Sequence, residues 1–387
     1  MALRQILFTL LAFVGLPAYA AATVSLAGFS YSGDYQSIAS RFPYTQRFAK
    51  QMAEQNTSID KVIGQTLTNT KIGNFTVQQG ELAQLKGRDQ AIAVSLVMTS
   101  ETVSYERFGR AYKLFVNLRG QALFFDFKSM TVLRSYPITA AYLDVLGAPP
   151  SDEELDDRVR KLFLGDGQKA GLVQRFANQM AAATLPETVP RFLQVNKVTI
   201  SPEARNELPE ALKGTPNTAE TWLADQLSEM IASRTGTPVL PYAKGYAIGN
   251  SMAMRFADGT VFNLKIPEAD YAFSVDLTGF KRIKSGESAA GASYIYGTYV
   301  DLKLIEPVSG RAYLDSKFKN GEVKLVPATQ SEIDDFPAYS DSVRGLFGKL
   351  TAVLGGKDDP WIKSAATPTS DLNAQISATK TVLQSCK

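Results

Sequence analysis

Histidine is absent from the 387-residue chain, and cysteine occurs once. Without histidine there is no Ser-His-Asp or Cys-His catalysis, no imidazole metal site and no side chain whose ordinary pKa lies near neutrality. A lone cysteine, Cys386, excludes thiolate zinc sites, iron–sulfur clusters and an intramolecular disulfide. A strong charge of either sign is missing too: 41 basic and 38 acidic residues leave +3. Binding to nucleic acid needs a basic surface that displaces counterions, so nucleic acid is not an expected partner. Past the first twenty residues no uncharged apolar run approaches the roughly 20 residues that span a bilayer, and the mature chain is expected to have no transmembrane segment. Nothing in the composition calls for a cofactor.

What is present begins with an address. Arg4 gives a positive start, Ile6 to Leu16 is a short apolar run, and Pro17-Ala18-Tyr19-Ala20 ends in the small-x-small pattern of a cleavage site. The reading is a signal peptide cut after Ala20, which places the mature chain in the periplasm or associated with the cell envelope. No cysteine follows the cut to carry a lipid anchor. Cys386, one residue from the C-terminus, is expected on a frayed tail.

The mature chain reads as α+β, with two β-rich lobes. Thr23 to Phe29 is a strand, and Ala91–Met98, Lys113–Leu118, Ala122–Phe127 and Thr131–Tyr136 are apolar, β-branched or aromatic runs with short separators, an antiparallel meander. At Gly147-Ala148-Pro149-Pro150 the period changes to helical. Ser151 and Glu154 form a capping box, and Leu155, Val159 and Phe163 form a stripe. In the second half Phe192–Ile200 is a strand, and Asn217 with Glu220 caps a helix through Trp222, Leu227 and Ile231. Further strands follow at Val261–Ile266, Tyr271–Leu277, Tyr294–Ile305 and Arg311–Phe318. The small residues Ser285–Ser293 suggest a mobile loop. The expected division is a first α+β domain over 21–147, a helical connector over 148–190, a second α+β domain over 191–328 and a helical C-terminal tail over 329–387. Each half runs strand, helix, antiparallel strands. Their final hairpins match, with Asp126 and Glu306 before the turn and Ser135 and Ser316 closing the second strand, which suggests a duplication.

These elements resemble the envelope α/β domain shared by the curli-secretion lipoproteins, the amino-terminal domain of the Tol β-propeller protein and the lipoprotein activators of peptidoglycan synthases. The fitting positions are Val24 and Phe29 on the first strand, Leu223 and Leu227 with Val239, and Glu306 with Ser309-Gly310. The resemblance implies a non-catalytic envelope protein that works by protein contacts, with no active-site residues to carry over. Two features depart from those families: the N-terminal cysteine of the lipid-anchored members is missing, and the C-terminal helices have no counterpart.

Chemistry without histidine could still come from a Ser/Lys pair or from paired carboxylates. Ser316-x-x-Lys319 fits the first, but residues three apart on a strand face opposite sides, and Ser58-x-x-Lys61 and Ser377-x-x-Lys380 fit equally. The acidic groups Asp152-Glu153-Glu154, Asp156-Asp157, Asp334-Asp335 and Asp358-Asp359 sit at helix starts or turns, where carboxylates cap free N–H groups. Tyr294, Tyr296 and Tyr299 are the candidate binding surface, with the first two on one strand face and the third on the other. No catalytic, cofactor-binding or metal-ligating residue emerges. The reading is a binding or assembly component whose partner is an envelope protein, a glycan or a further copy of the chain. The alternative is a histidine-free envelope hydrolase that uses paired carboxylates or a Ser/Lys pair.

Overall fold

A computed structural model describes residues 22–33, 35–80, 91–185, 190–214, 216–242, 251–256, 258–330 and 333–387. The segment read as a signal peptide, with its cut after Ala20, lies outside these residues. In the first half β1 (Thr23–Ser32) leads into α1 (Tyr35–Arg41), α2 (Pro43–Glu54) and α3 (Ile59–Thr68). Then come β2 (Thr76–Gln79) and three long strands, β3 (Ile92–Phe108), β4 (Ala111–Asp126) and β5 (Thr131–Leu146), followed by α4 (Asp152–Leu164) and α5 (Leu172–Ala182). The second half runs β6 (Leu193–Ile200), α6 (Pro202–Asn206), α7 (Glu210–Lys213), α8 (Thr218–Thr235), β7 (Ser251–Phe256), β8 (Val261–Lys265), β9 (Tyr271–Ser288), β10 (Gly291–Ile305) and β11 (Ala312–Pro327). It ends in α9 (Phe336–Leu354), α10 (Trp361–Ala365), β12 (Ala366–Pro368) and α11 (Leu372–Ser385).

The strands form two sheets. The first has the order β2-β1-β3-β4-β5-β8-β7, and the second β12-β11-β10-β9-β6. In both halves the opening strand pairs in parallel with the first strand of an antiparallel meander, β1 with β3 and β6 with β9. The repeat extends to the irregularities of the ladders. A bulge interrupts β1 between Leu26 and Gly28 opposite Ser95, and another interrupts β6 between Val195 and Lys197 opposite Ser274. Thr99 is the extra residue where β3 meets β4, and Thr278 is the extra residue where β9 meets β10. Each donates its hydroxyl to the matching carbonyl, Thr99 to Arg119 at 3.1 Å and Thr278 to Tyr299 at 3.2 Å. A third bulge lies at Phe124/Phe125 in one hairpin and at Leu304/Ile305 in the other. Bulges redirect strands and persist as built features, so three in matching register make the halves two versions of one unit. The register pairs Asp126 with Glu306 as expected, and Ser129 and Ser309 donate to those carboxylates in the two turns. It places Ser135 opposite Leu123 and Asp315 opposite Lys303, so the expected match of Ser135 with Ser316 is off by one residue.

Three expectations change. The helices read as a connector cover one face of the first sheet: Leu155, Val159, Phe163, Leu172, Phe176 and Met180 are fully or almost fully buried with Phe29, Leu96 and Phe124. The C-terminal tail is likewise core, because Val343, Phe347, Leu350, Val382 and Leu383 close the second sheet. Ser285–Ser293 is no loop but the end of the β9–β10 hairpin, with Ser288 directly opposite Gly291. An apolar stripe identifies a helix without saying which sheet it covers, which is why these helices look separable in sequence.

The β7–β8 hairpin leaves the second half and joins the first sheet. β7 pairs antiparallel with β1, and β8 meets β5 at Thr131–Lys265, so the sheet closes on itself around Val97, Leu123, Phe125, Met252 and Met254. Helix α8 lies between the sheets and is buried on nearly all sides. Its Trp222, Leu223 and Leu227 pack with the second sheet, while Asp225 and Glu229 face polar groups of the first. It starts at Thr218, but Asn217 makes no side-chain cap, and Glu220 pairs with Arg205 instead.

Candidate functional site

Two surfaces follow from this arrangement. The first is a cleft of about 550 Å³ between the halves, where β3 runs beyond β1 and α8 begins. Arg41, Glu101, Arg119, Thr102 and Thr218 line it. Arg41 donates to the carbonyls of Ser32 at 2.7 Å and Thr99 at 2.9 Å, which ties α1 to the Thr99 bulge. Glu101 caps α2 from outside the helix: it accepts from the amides of Tyr44 at 2.8 Å and Thr45 at 2.7 Å, and from the Thr45 hydroxyl. Burial pushes its carboxyl up, against the pull of those donors. Among the described residues Glu101 is the one carboxylate that lines the cleft.

Behind the cleft, buried charges join the halves. Arg119 Nη1 stands 3.0 Å from Asp225 Oδ2, with both side chains almost wholly buried, and Arg119 Nε has no hydrogen-bond partner among the described residues. Burial raises the Asp225 carboxyl to about 6, since Arg119 repays only part of the lost hydration. One turn on, Glu229 lies between Arg344 at 3.8 Å and Arg175 at 3.9 Å, and its carboxyl too is pushed up by burial. The spacing explains the seam. Asp225 and Glu229 share a helix face at i and i+4, and Asn117 and Arg119 share a strand face at i and i+2.

The second surface is the outward face of the second sheet. Ile283, Ile295 and Val323 are in direct register across β9, β10 and β11, with Leu325 alongside. Ile283 is 52% exposed, Val323 66% and Leu325 58%, so this is an apolar row open to solvent. The paired Gly297 and Gly321 leave a depression of about 280 Å³ beside it, with Tyr299, Lys319 and Trp361 on its walls.

The sequence candidates fall as follows. Tyr299 is on this outward face, with the Lys281 ammonium 5.4 Å from its ring centre. Tyr296 is buried on the other face, stacked edge-on to Tyr339, and its hydroxyl donates to Asp335 at 2.7 Å. Tyr294 is partly buried on that inner side, beneath the Arg282 guanidinium. The three therefore form no continuous exposed row, because α9 covers one side. Ser316 is buried and bonded to Gln375, while Lys319 points outward. Glu154 completes the capping box with Ser151. Asp157 pairs with Arg160 and Lys161, Asp334 with Lys113, and Asp335 with Arg282. Cys386 is 3% exposed, and burial raises its thiol to about 11. The residues that sequence reasoning missed are Ile283, Val323 and Leu325. Alternation alone could have found them, since they are apolar where the strand's solvent face should be polar.

No family model and no curated protein matches the chain. Among solved structures it is similar to a DUF330 protein from Xanthomonas campestris, at 14% identity over 43% of this chain and 83% of that one, with a TM-score of 0.21. A minor lipoprotein from Acinetobacter baumannii is 9% identical over 47% of this chain and 98% of that one, with a TM-score of 0.22. No helix among the described residues is long and apolar enough to cross a membrane.

Proposed function

We propose that the protein is an exported, non-catalytic component of the cell envelope that acts by binding a protein partner. The observation that carries this reading is the open apolar row Ile283–Ile295–Val323. Its counterpart in the first half is Ser104–Phe115–Leu143, of which Phe115, 5% exposed, and Leu143 pack against the core of the second half, while Ser104 lines the cleft. One unit uses this face as a protein interface, and the other holds it open. The export part rests on the segment ending at Ala20. Among the described residues no second carboxylate stands beside Glu101 in the cleft, which the glycoside-cleaving form of the hydrolase alternative would need.

The test is photo-crosslinking in producing cells from position 283, with position 50 on α2 as control. A discrete protein adduct from 283 that disappears in Val323→Asp is expected. An equal yield of adducts from both positions, or an adduct indifferent to Val323→Asp, would overturn the reading.

A further inference from the structure

The partner's chemistry can be narrowed by comparing the open face with its covered counterpart. This step rests on the reading above and names what binds. In the first half Phe115 meets Phe336 edge-on at 5.9 Å, Phe336 touches Trp222 at 5.9 Å, and Arg119 on the same face pairs with Asp225 of α8. The second half thus covers the face with aromatic anchors, and two carboxylates meet strand cations there, Asp225 on Arg119 and Asp334 on Lys113. In the second half the ladder puts Ile295 at the place of Phe115 and Val323 at that of Leu143. Gly297 replaces Asn117 and Tyr299 replaces Arg119, while Lys281 takes the place of Thr102 and Lys319 that of Thr139. The apolar character persists, and the cations of β4, Lys113 and Arg119, give way to one lysine on each strand flanking β10. No carboxylate among the described residues pairs with either lysine.

A second copy fits poorly in both arrangements. Face to face, two faces that each carry Lys281 and Lys319 would be pressed together, like charge against like. Head to tail, the helical layer of the first half would have to supply what Phe336 supplies. Helices α4 and α9 align on their N-caps Ser151 and Asp335, with Val159 matching Val343 and Phe163 matching Phe347, both pairs buried. That alignment puts Asp152 where Phe336 stands, so a carboxylate would land on Ile295.

We infer that the outward face of β9–β11 docks an amphipathic helix of another protein. A large apolar residue of that helix fills the Gly297–Gly321 depression, and carboxylates flanking its apolar stripe meet Lys281 and Lys319. The mode is helix-in-groove recognition, in which the apolar anchors supply affinity and the charges set orientation.

The experiment uses the full mature chain and two synthetic helical peptides with the same Leu/Phe stripe at i, i+3, i+4 and i+7. One peptide is flanked by glutamate and the other by lysine, and binding is followed by fluorescence anisotropy. The glutamate peptide should bind about tenfold or more tighter, equivalent to about 1.4 kcal/mol. The double variant Lys281→Glu, Lys319→Glu should reverse the preference, and Val323→Asp, at a site 66% exposed, should abolish both without unfolding the protein. Equal binding of the two peptides, or none, overturns the inference. So does a Val323-dependent dimer in sedimentation, or Val323-dependent binding to phosphatidylglycerol vesicles in place of the peptide. If the crosslink from position 283 persists while the peptides fail, the helix is wrong and the binding function stands; if both fail, both fall.

Discussion

At Asp225 folding and ionisation are coupled. Its carboxyl titrates near 6 in the folded chain, against an ordinary value of 3.8, because burial outweighs the Arg119 pair. A raised folded pKa means that the native state holds the proton more tightly than the unfolded chain does. The stabilisation from that proton is complete below about 3.8 and is lost as pH rises through about 6. Asp225→Asn removes this dependence. Its stability relative to the parent should rise with pH between about 4 and 6 and stay level outside that window, as measured by urea unfolding at several pH values. A flat difference across the window would show that Asp225 is ionised throughout. Its neighbours in sequence, Trp222 and Leu227, are equally buried yet easy to place, since apolar residues of a helix are expected inside. A buried carboxylate is legible only once its arginine is known, and Arg119 lies more than a hundred positions away on another element.

At the scale of elements, much was readable from local pattern. The capping box at Ser151 and Glu154 forms as expected, and so do the hairpin turns after Asp126 and Glu306. These depend on residues three apart, whose geometry a short chain fixes by itself. Other signals misled. Asn217 and Glu220 have the spacing of a cap, but Asn217 is left-handed and Glu220 is drawn to Arg205, a contact set by packing.

Two glycines separate backbone need from crowding. Gly310 has φ +70 in open space, so Gly310→Ala should cost only the left-handed conformation, about 1 kcal/mol. Gly28 has φ +94, and an added Cβ would stand 2.3 Å from the Asp60 carboxylate that accepts from the Phe29 amide. Gly28→Ala should therefore cost clearly more, about 2–4 kcal/mol. Denaturant titration of both variants tests the order, and equal losses would show that Asp60 moves aside freely.

For the whole molecule, the C-terminus is the sharpest correction. Expected as a helical tail with a frayed end at Cys386, this segment is helical, but α9 and α11 close the core of the second sheet, Cys386 is buried, and the carbonyl of Lys387 accepts from Arg134 of the first sheet. The Cys386 thiol should therefore resist Ellman's reagent in the native protein and react in full in urea, while a chain cut at residue 328 should fail to fold. Rapid native labelling, or a soluble cooperative fragment, would restore the tail. The same scale holds the inter-half cleft, the buried Arg119–Asp225 pair that links α8 to β4, and the barrel closed by a hairpin from the other half.

The sequence by itself determined the α+β class, most strands and long helices, the repeated outline of the two halves and the exclusion of histidine chemistry, thiolate metal sites and an intramolecular disulfide. Composition and short-range periodicity express these directly. Only the tertiary structure decided that the connector and tail are core, that β7 and β8 belong to the first sheet, and that one of two equivalent sheet faces is covered while the other is open. Those outcomes depend on which distant surfaces exclude water together. A pattern of apolar residues shows that an element has a face to bury, but the partner that buries it is chosen in three dimensions.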